Sequence, residues 1–298
     1  MTQEQYAFEP VPLDVLIIGA GLSGIGAAHA LSSQCPDKRY LILERRAAIG
    51  GTWDLFRYPG IRSDSDMYTL SYSYKPWANR KSIADGADIK RYIEEIAEDS
   101  GAIHNIRFQR RVVSANWSSE HGRWDVVALL TDAEGNEQEE HYQARFLFSC
   151  SGYYSYDEGY RPAFPNEEAF KGQIIHPQFW PEDLDYTGKR VVVIGSGATA
   201  VTLVPSMTAK AAHVTMLQRT PSYVVTRPQR DGIAQTLQKW LPLQAAHSLT
   251  RWKNVFLTQF FYRIARSRPE QFKERVLHMV KTQIGDVDMK HFTPDYKP

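Results

Sequence analysis

The chain has 298 residues, 43% of them hydrophobic and 23% charged, the composition of a globular protein with room for two domains. A formal net charge of +1 gives no global pull toward nucleic acid, and two cysteines without CxxC spacing, Cys35 and Cys150, argue against a disulfide scaffold or a zinc ribbon. The opening MTQEQYAFEPVPLD lacks the basic and apolar segments of a secretory leader, and no apolar run reaches the roughly 18 residues of a membrane span, so a cytoplasmic setting is expected.

An apolar run from Leu13 to Ile18 leads into Gly19-Ala20-Gly21-Leu22-Ser23-Gly24, then into the helix-compatible IGAAHALSSQ, and a second run, Tyr40 to Leu43, ends at Glu44. This is the grammar of a βαβ dinucleotide unit. Gly19 suits a tight turn, Gly21 a close approach of backbone to pyrophosphate and Gly24 close packing of helix on strand, while the helix N-terminus offers N–H groups to phosphate. Glu44, twenty residues after Gly24, stands where an acid accepts hydrogen bonds from ribose hydroxyls. The segment GGTWDLFRYPGIRSD, Gly50 to Asp64, is too rich in Gly, Pro and aromatics for a regular helix or central strand, and an ordered loop is expected. Residues 87–100 carry apolar positions at helical spacing. From about Ile106 to Phe148 the period shifts toward two, predicting strands near Val112 to Trp117, Arg123 to Leu130 and Tyr142 to Cys150, with a polar turn at TDAEGNEQ. Cys150 reads as a small buried hydrophobe rather than a redox thiol.

A Tyr-, Pro- and acid-rich stretch from about Tyr153 to Lys189 reads as a linker. A second βαβ unit follows: Arg190 to Ile194, then Gly195-Ser196-Gly197-Ala198-Thr199-Ala200, a helix through Thr208 and a strand from Val214 to Leu217. Ala200 replaces the third glycine, which the fingerprint tolerates. Gln218 and Arg219 stand where the first unit has Glu44. An acid there would repel a 2′-phosphate, whereas Arg219 can pair with one, so this unit is expected to prefer NADPH. From Asp231 to Lys290 the chain becomes helical and basic, with Arg251, Lys253, Arg263 and Arg266 interleaved with Trp252, Phe256, Phe260, Phe261 and Tyr262. The expectation is a helical subdomain whose aromatics pack and whose charges face water, with peripheral membrane contact as the alternative. No HExxH or paired Cys/His pattern predicts a metal site, and no GxSxG elbow marks a hydrolase.

Between the two fingerprints lies Phe170-Lys171-Gly172-Gln173-Ile174-Ile175-His176-Pro177-Gln178-Phe179-Trp180-Pro181. This FxGxxxHxxxWP pattern, with GGxWxxxxYPGxxxD over Gly50 to Asp64, resembles the type I Baeyer-Villiger flavin monooxygenases along essentially the whole chain. The resemblance implies FAD in the first fold and NADPH in the second, with hydride passing between them. Reduced flavin would react with O2 to a C4a-peroxyflavin that inserts oxygen beside a ketone or oxidises sulfur. Gly51, Trp53 and Asp64 would lie in a loop over the flavin, Asp64 tuning a catalytic arginine, and Gly152 would let backbone approach the flavin side. Gly172, His176 and Trp180 would serve a hinge between the nucleotide folds.

The implied fold class is α/β, with two Rossmann-like dinucleotide-binding domains, a small antiparallel β layer in the first and a helical subdomain after the second. Its expected boundaries are 1–155 for the FAD-binding domain, 156–188 for the linker, 189–226 for the NADPH-binding βαβ and 227–298 for the helical subdomain. Relatives continue beyond the position of Pro298, and the resemblance places an active-site arginine and the end of the NADPH domain there. The expected partners are a small ketone or sulfur substrate and O2, not nucleic acid. The enzymatic alternative is a flavin monooxygenase acting mainly on nitrogen or sulfur, with FxGxxxHxxxWP counting against its N-oxygenating members, or a flavin disulfide reductase, against which the absent CxxC counts. A catalytically inactive nucleotide-binding remnant is the alternative outside enzymes.

Overall fold

The computed structural model describes residues 13–132 and 134–298. The reading of a missing leader rests on residues 1–12, outside the described ones. The chain divides into two compact units: the first holds the chain up to Phe56 together with Ala87–Gln178, the second Arg57–Gly86 together with Phe179–Pro298.

In the first unit, β1 (Leu13–Ile18) buries Leu16 and Ile17 completely and runs into α1 (Leu22–Gln34) through the glycine turn. β2 (Tyr40–Leu43) lies parallel to β1, pairing Val15 with Tyr40 and Ile18 with Leu43. The next loop is not wholly irregular as expected. One helical turn, α2 (Thr52–Leu55), forms directly after Gly51, whose φ of +55° is left-handed and suits glycine. In the second unit, α3 (Met67–Leu70) is capped by Asp66, whose carboxylate accepts from the Thr69 N–H at 3.1 Å.

α4 (Gly86–Asp99) buries Ile89, Tyr92, Ile93, Ile96 and Ala97, a stripe at three- and four-residue spacing that explains why these residues form a helix against a core. β3 (Ile106–Arg107) extends the parallel edge beside β2. β4 (Arg110–Ser118), β5 (Arg123–Thr131) and β6 (Glu137–Ser149) follow as an antiparallel meander. Six strands of the described residues thus make one sheet, in the order β3-β2-β1-β6-β5-β4. The antiparallel part is continuous with the parallel part because β6 is long. Its first half pairs with β5, while Ala144 to Ser149 pair in parallel with Leu13 to Ile18. The core at this junction is Leu13, Leu16, Leu43, Val126, Ala128 and Ala144.

In the second unit, β7 (Arg190–Ile194), α5 (Ala198–Met207) and β8 (His213–Leu217) repeat the βαβ pattern, with β7 and β8 parallel. α5 buries Ala200, Leu203 and Met207, while Val192, Ile194 and Leu217 are exposed. α6 (Gly232–Trp240) is capped by Asp231, which accepts from the Ala234 N–H at 3.0 Å. α7 (Leu243–Ser267) and α8 (Pro269–Lys281) complete the helices, α8 opening with proline at its first turn.

α7 corrects the expectation that the aromatics of this region pack. Trp252 is 59% exposed and Phe256 66%, and Phe260, Phe261 and Tyr262 are exposed as well. The stripe facing inward is Ala246, His247, Thr250 and Asn254. Its polar members are satisfied: Asn254 Nδ2 donates to Asp66 Oδ1 at 2.8 Å, His247 Nε2 lies 3.0 Å from Ser71 Oγ, and Thr250 Oγ1 donates to the Ala246 carbonyl at 2.7 Å. Arg251 Nη1 donates to the Ser71 carbonyl at 2.8 Å, closing the end of α3. A polar stripe with partners packs as firmly as an apolar one, and periodicity alone does not distinguish the two.

Candidate functional site

The first candidate site is built from the turn between β1 and α1. Gly19 has φ +100°, and a Cβ there would fall 2.6 Å from the carbonyl oxygen of Cys150, the residue after β6, so the chain there leaves room only for glycine. A Cβ on Gly24 would fall 1.9 Å from the Gly19 carbonyl oxygen. Gly21, the N-cap of α1, has only the Gly51 backbone near it, at 3.5 Å from a notional Cβ. The Gly50 N–H donates to the Ala20 carbonyl at 3.1 Å, so Gly51 and α2 with Trp53 lie beside the turn.

Glu44 does more than its expected position suggested. It is only 2% exposed, and its carboxylate accepts from the Ala20 N–H at 2.7 Å and the Arg46 N–H at 2.8 Å. The acid at the end of β2 therefore braces the glycine turn, and lone pairs remain for ribose hydroxyls. Burial pushes its carboxyl above the usual range, against the pull of those two donors.

Sequence reasoning missed the ion cluster behind this turn. Asp54, on α2, accepts from Arg46 Nη2 at 2.6 Å and pairs with Lys90 Nζ at 2.8 Å, while the Arg46 guanidinium stands 5.8 Å from the Tyr156 ring centre. Burial works against ionisation of Asp54, but Lys90 and Arg46 outweigh it and hold the carboxyl below the usual carboxylate range. No local motif marks this set, since its members come from four separate segments. Gly152 follows β6 in an exposed loop with φ +73°. Cys150 is half-buried, and burial raises its thiol to about 11, so it stays protonated at neutral pH.

The second candidate site is looser. Gly195 has φ +136°, and a Cβ on Gly197 would meet nothing within 4 Å. Ala200 takes the place of the third glycine and is buried, and its Cβ is what a notional Cβ on Gly195 would meet, at 4.0 Å. Ser196 Oγ donates to the Thr220 carbonyl at 3.3 Å, drawing the segment after β8 toward the turn. In that segment Arg219 is exposed, and its guanidinium has no hydrogen-bond or ion-pair partner among the described residues.

Two parts of the expected loop also belong to this unit. Tyr58 hydrogen-bonds Thr199, and a Cβ on Gly60 (φ +80°) would collide with Ser206 Oγ at 2.0 Å, so the Tyr-Pro-Gly turn is seated on α5. Asp64 is exposed on the following bend, which Ser63 fixes by donating its N–H to the Ala84 carbonyl at 2.9 Å and its Oγ–H to the Ser65 carbonyl at 2.6 Å. Gly51 and Trp53 thus fall in the first unit and Asp64 in the second.

The FxGxxxHxxxWP stretch crosses the unit boundary. Gly172 and His176 fall in the first unit and Trp180 in the second. Gly172 lies under the Phe170 ring, where a Cβ would come within 2.5 Å. The His176 ring covers the α-carbon of Gly159, where a Cβ would come within 2.1 Å, and the Gln178 N–H donates to its Nδ1 at 3.3 Å. Trp180 meets Tyr186 edge to face with ring centres 6.3 Å apart.

The model of the flavin-binding monooxygenase-like family matches residues 13–240, which include both glycine turns and the stretch between them. The chain belongs to this family. It is 51% identical over 288 residues to the FAD-containing monooxygenase EthA of Mycolicibacterium smegmatis, covering 96% of this chain and 58% of that protein. Among solved structures, an oxidised steroid monooxygenase bound to NADP superposes with a TM-score of 0.66 at 31% identity, over 80% of this chain and 44% of that one. The enzyme OTEMO in complex with FAD and NADP gives a TM-score of 0.76 at 24% identity, over 97% and 61%, a likeness of fold. The chain therefore spans about 58% of the length of the curated relative it matches. The family resemblance and the α/β fold class expected from the sequence are borne out.

Proposed function

We propose that the protein is an FAD-, NADPH- and O2-dependent monooxygenase that inserts one oxygen atom beside a ketone or onto sulfur. The observation that carries this reading is the pairing of two glycine turns with opposite partners: a buried carboxylate, Glu44, at the first and an unpaired guanidinium, Arg219, at the second. A dinucleotide without a 2′-phosphate suits the first, and one with a 2′-phosphate suits the second. The cradle at Gly19, Gly21 and Gly24 fits a pyrophosphate, because a side chain at Gly19 or Gly24 would collapse the turn and one at Gly21 would occupy the approach to α1.

FAD held there supplies the oxygen-activating chemistry, and NADPH held by Gly195, Gly197, Thr199, Ala200 and Arg219 supplies hydride. The chain's own residues bind and orient. Glu44 fixes the shape of the turn through the Ala20 N–H, and the Asp54–Arg46–Lys90 cluster holds Gly51 and Trp53 against it. Asp64, exposed on a fixed bend, would orient and tune a catalytic arginine, as the family resemblance implies. Gly172, His176 and Trp180 act as the hinge, a role supported by the unit boundary falling between Gln178 and Phe179. Ketone and sulfur remain joint substrate classes, and a similar solved structure, a cyclohexanone monooxygenase with cyclohexanone bound, favours a carbonyl.

The test pairs two valine variants with product analysis. Gly21→Val should lose the flavin absorbance and keep NADPH binding, while Gly197→Val should do the reverse. A yellow Gly21→Val protein would overturn the assignment of the first fold to FAD. With NADPH and air, a cyclic ketone or an aryl sulfide should yield an ester or a sulfoxide, and hydrogen peroxide as the sole product would remove the oxygenation claim.

A further inference from the structure

A cleft of about 640 Å³ lies wholly within the second unit, beside α6 and α7, and its size is that of a small-molecule site. Its edge is fixed by one carbonyl. Gln229 O accepts from the Ser82 N–H at 2.7 Å, the Ser82 Oγ–H at 3.0 Å and the Ile83 N–H at 3.3 Å, so the chain around it is pinned to residues 82 and 83. Arg227 and Arg230 line the cleft on either side of this anchor. Ile83, Ile233, Leu237 and Leu257 supply its apolar lining.

The charges around the cleft do not cancel. Two carboxylates line it, and both are already occupied. Asp66 accepts from Asn254 Nδ2 at 2.8 Å and from Thr69 Oγ1 at 3.0 Å, and Asp231 caps α6 while its second oxygen is paired with Lys253. Lys253 is committed by the same pair. The guanidiniums of Arg227 and Arg230 are exposed and have no hydrogen-bond or ion-pair partner among the described residues. Two free planar donors beside an apolar wall are complementary to an anionic head that accepts from both and to a hydrocarbon tail.

We propose that this cleft binds an amphipathic carboxylate, an alkyl chain with a single anionic head, with Arg227 and Arg230 on the head and Ile233, Leu237 and Leu257 along the tail. The site does not rest on the monooxygenase reading, because none of these residues belongs to either glycine turn. Calorimetric titration of the full chain with decanoate, below its micelle-forming concentration, tests it. One saturable site is expected. The exposed pair Arg227→Ala/Arg230→Ala should weaken decanoate about tenfold or more with an unchanged circular dichroism spectrum, since charge-assisted contacts are lost. Ile233→Asp should weaken it as well, and 1-decanol, which has the tail without the charge, should bind about tenfold more weakly. Absence of saturable binding, equal affinity for decanol, or unchanged affinity in the double variant would overturn the proposal. Displacement of decanoate by NADPH would also overturn it, by assigning the two arginines to the nicotinamide site.

Discussion

Gly24 and Gly197 show how far a fingerprint residue depends on its surroundings. A methyl at Gly24 would meet the Gly19 carbonyl oxygen at 1.9 Å, a backbone atom that cannot step aside, whereas one at Gly197 would meet open space. Gly24→Ala should therefore destabilise the protein by about 3 kcal/mol. Gly197→Ala should change stability by less than about 0.5 kcal/mol. Denaturant midpoints measure both, and equal shifts would mean that the two turns are packed alike. Arg219 provides a second prediction at this scale. Its guanidinium is unpaired among the described residues, so Arg219→Ala should weaken NADPH about 10- to 150-fold, the loss of one charge-assisted phosphate contact, and leave NADH unchanged. Dissociation constants for the two nucleotides decide it, and parallel loss would make the residue structural. The tight packing at Gly24 was legible because it depends on a near neighbour in the chain, the Gly19 carbonyl. Asp54, Arg46 and Lys90 were not, because their meeting requires the folded sheet.

α7 is the element whose sequence and structure diverge most. Its pattern of basic and aromatic residues suggested an aromatic inner face, yet the buried stripe is His247, Thr250 and Asn254, with His247 and Asn254 held by Ser71 and Asp66 at the two ends of α3 and Thr250 by the Ala246 carbonyl of α7 itself. Burial, with a smaller contribution from the neighbouring Arg251 charge, holds the His247 imidazole below its usual range. The folded protein therefore binds this proton less readily than the unfolded chain does. Stability from this group is complete above the unfolded value of about 6.5 and falls as pH drops from there toward the lower folded value, by up to about 1.4 kcal/mol per pH unit. His247→Gln keeps an acceptor for Ser71 and should remove this part of the slope. Urea midpoints across pH 5 to 7 test it, and identical slopes in both proteins would show that His247 takes up its proton as readily in the fold as in the unfolded chain.

At the scale of the molecule, the second unit presents apolar surface on two elements. Val192, Ile194 and Leu217 project from the small parallel sheet, and Trp252, Phe256 and Phe260 line one side of α7. Patches of that kind bind hydrophobic dyes and other copies of the chain. The protein should brighten an anilinonaphthalene dye and sediment as larger species at higher concentration, and Phe256→Glu with Phe260→Glu should reduce both effects. A monomer with no dye response across the range would show that these side chains fold onto the surface in solution. No helix of the described residues is long and apolar enough to cross a membrane. What the sequence determined by itself is whatever local rules govern: two βαβ fingerprints, their unequal acid and base, the strand period between them and the motif stretch joining them. The tertiary structure alone decided that Glu44 braces the turn it follows, that β6 joins the antiparallel meander to the parallel sheet, and that the loop from Gly50 to Asp64 is divided between units. It also decided which face of α7 is covered. Each of these depends on which distant segment lies alongside, and residue spacing along one chain carries no information about that partner until the core has formed.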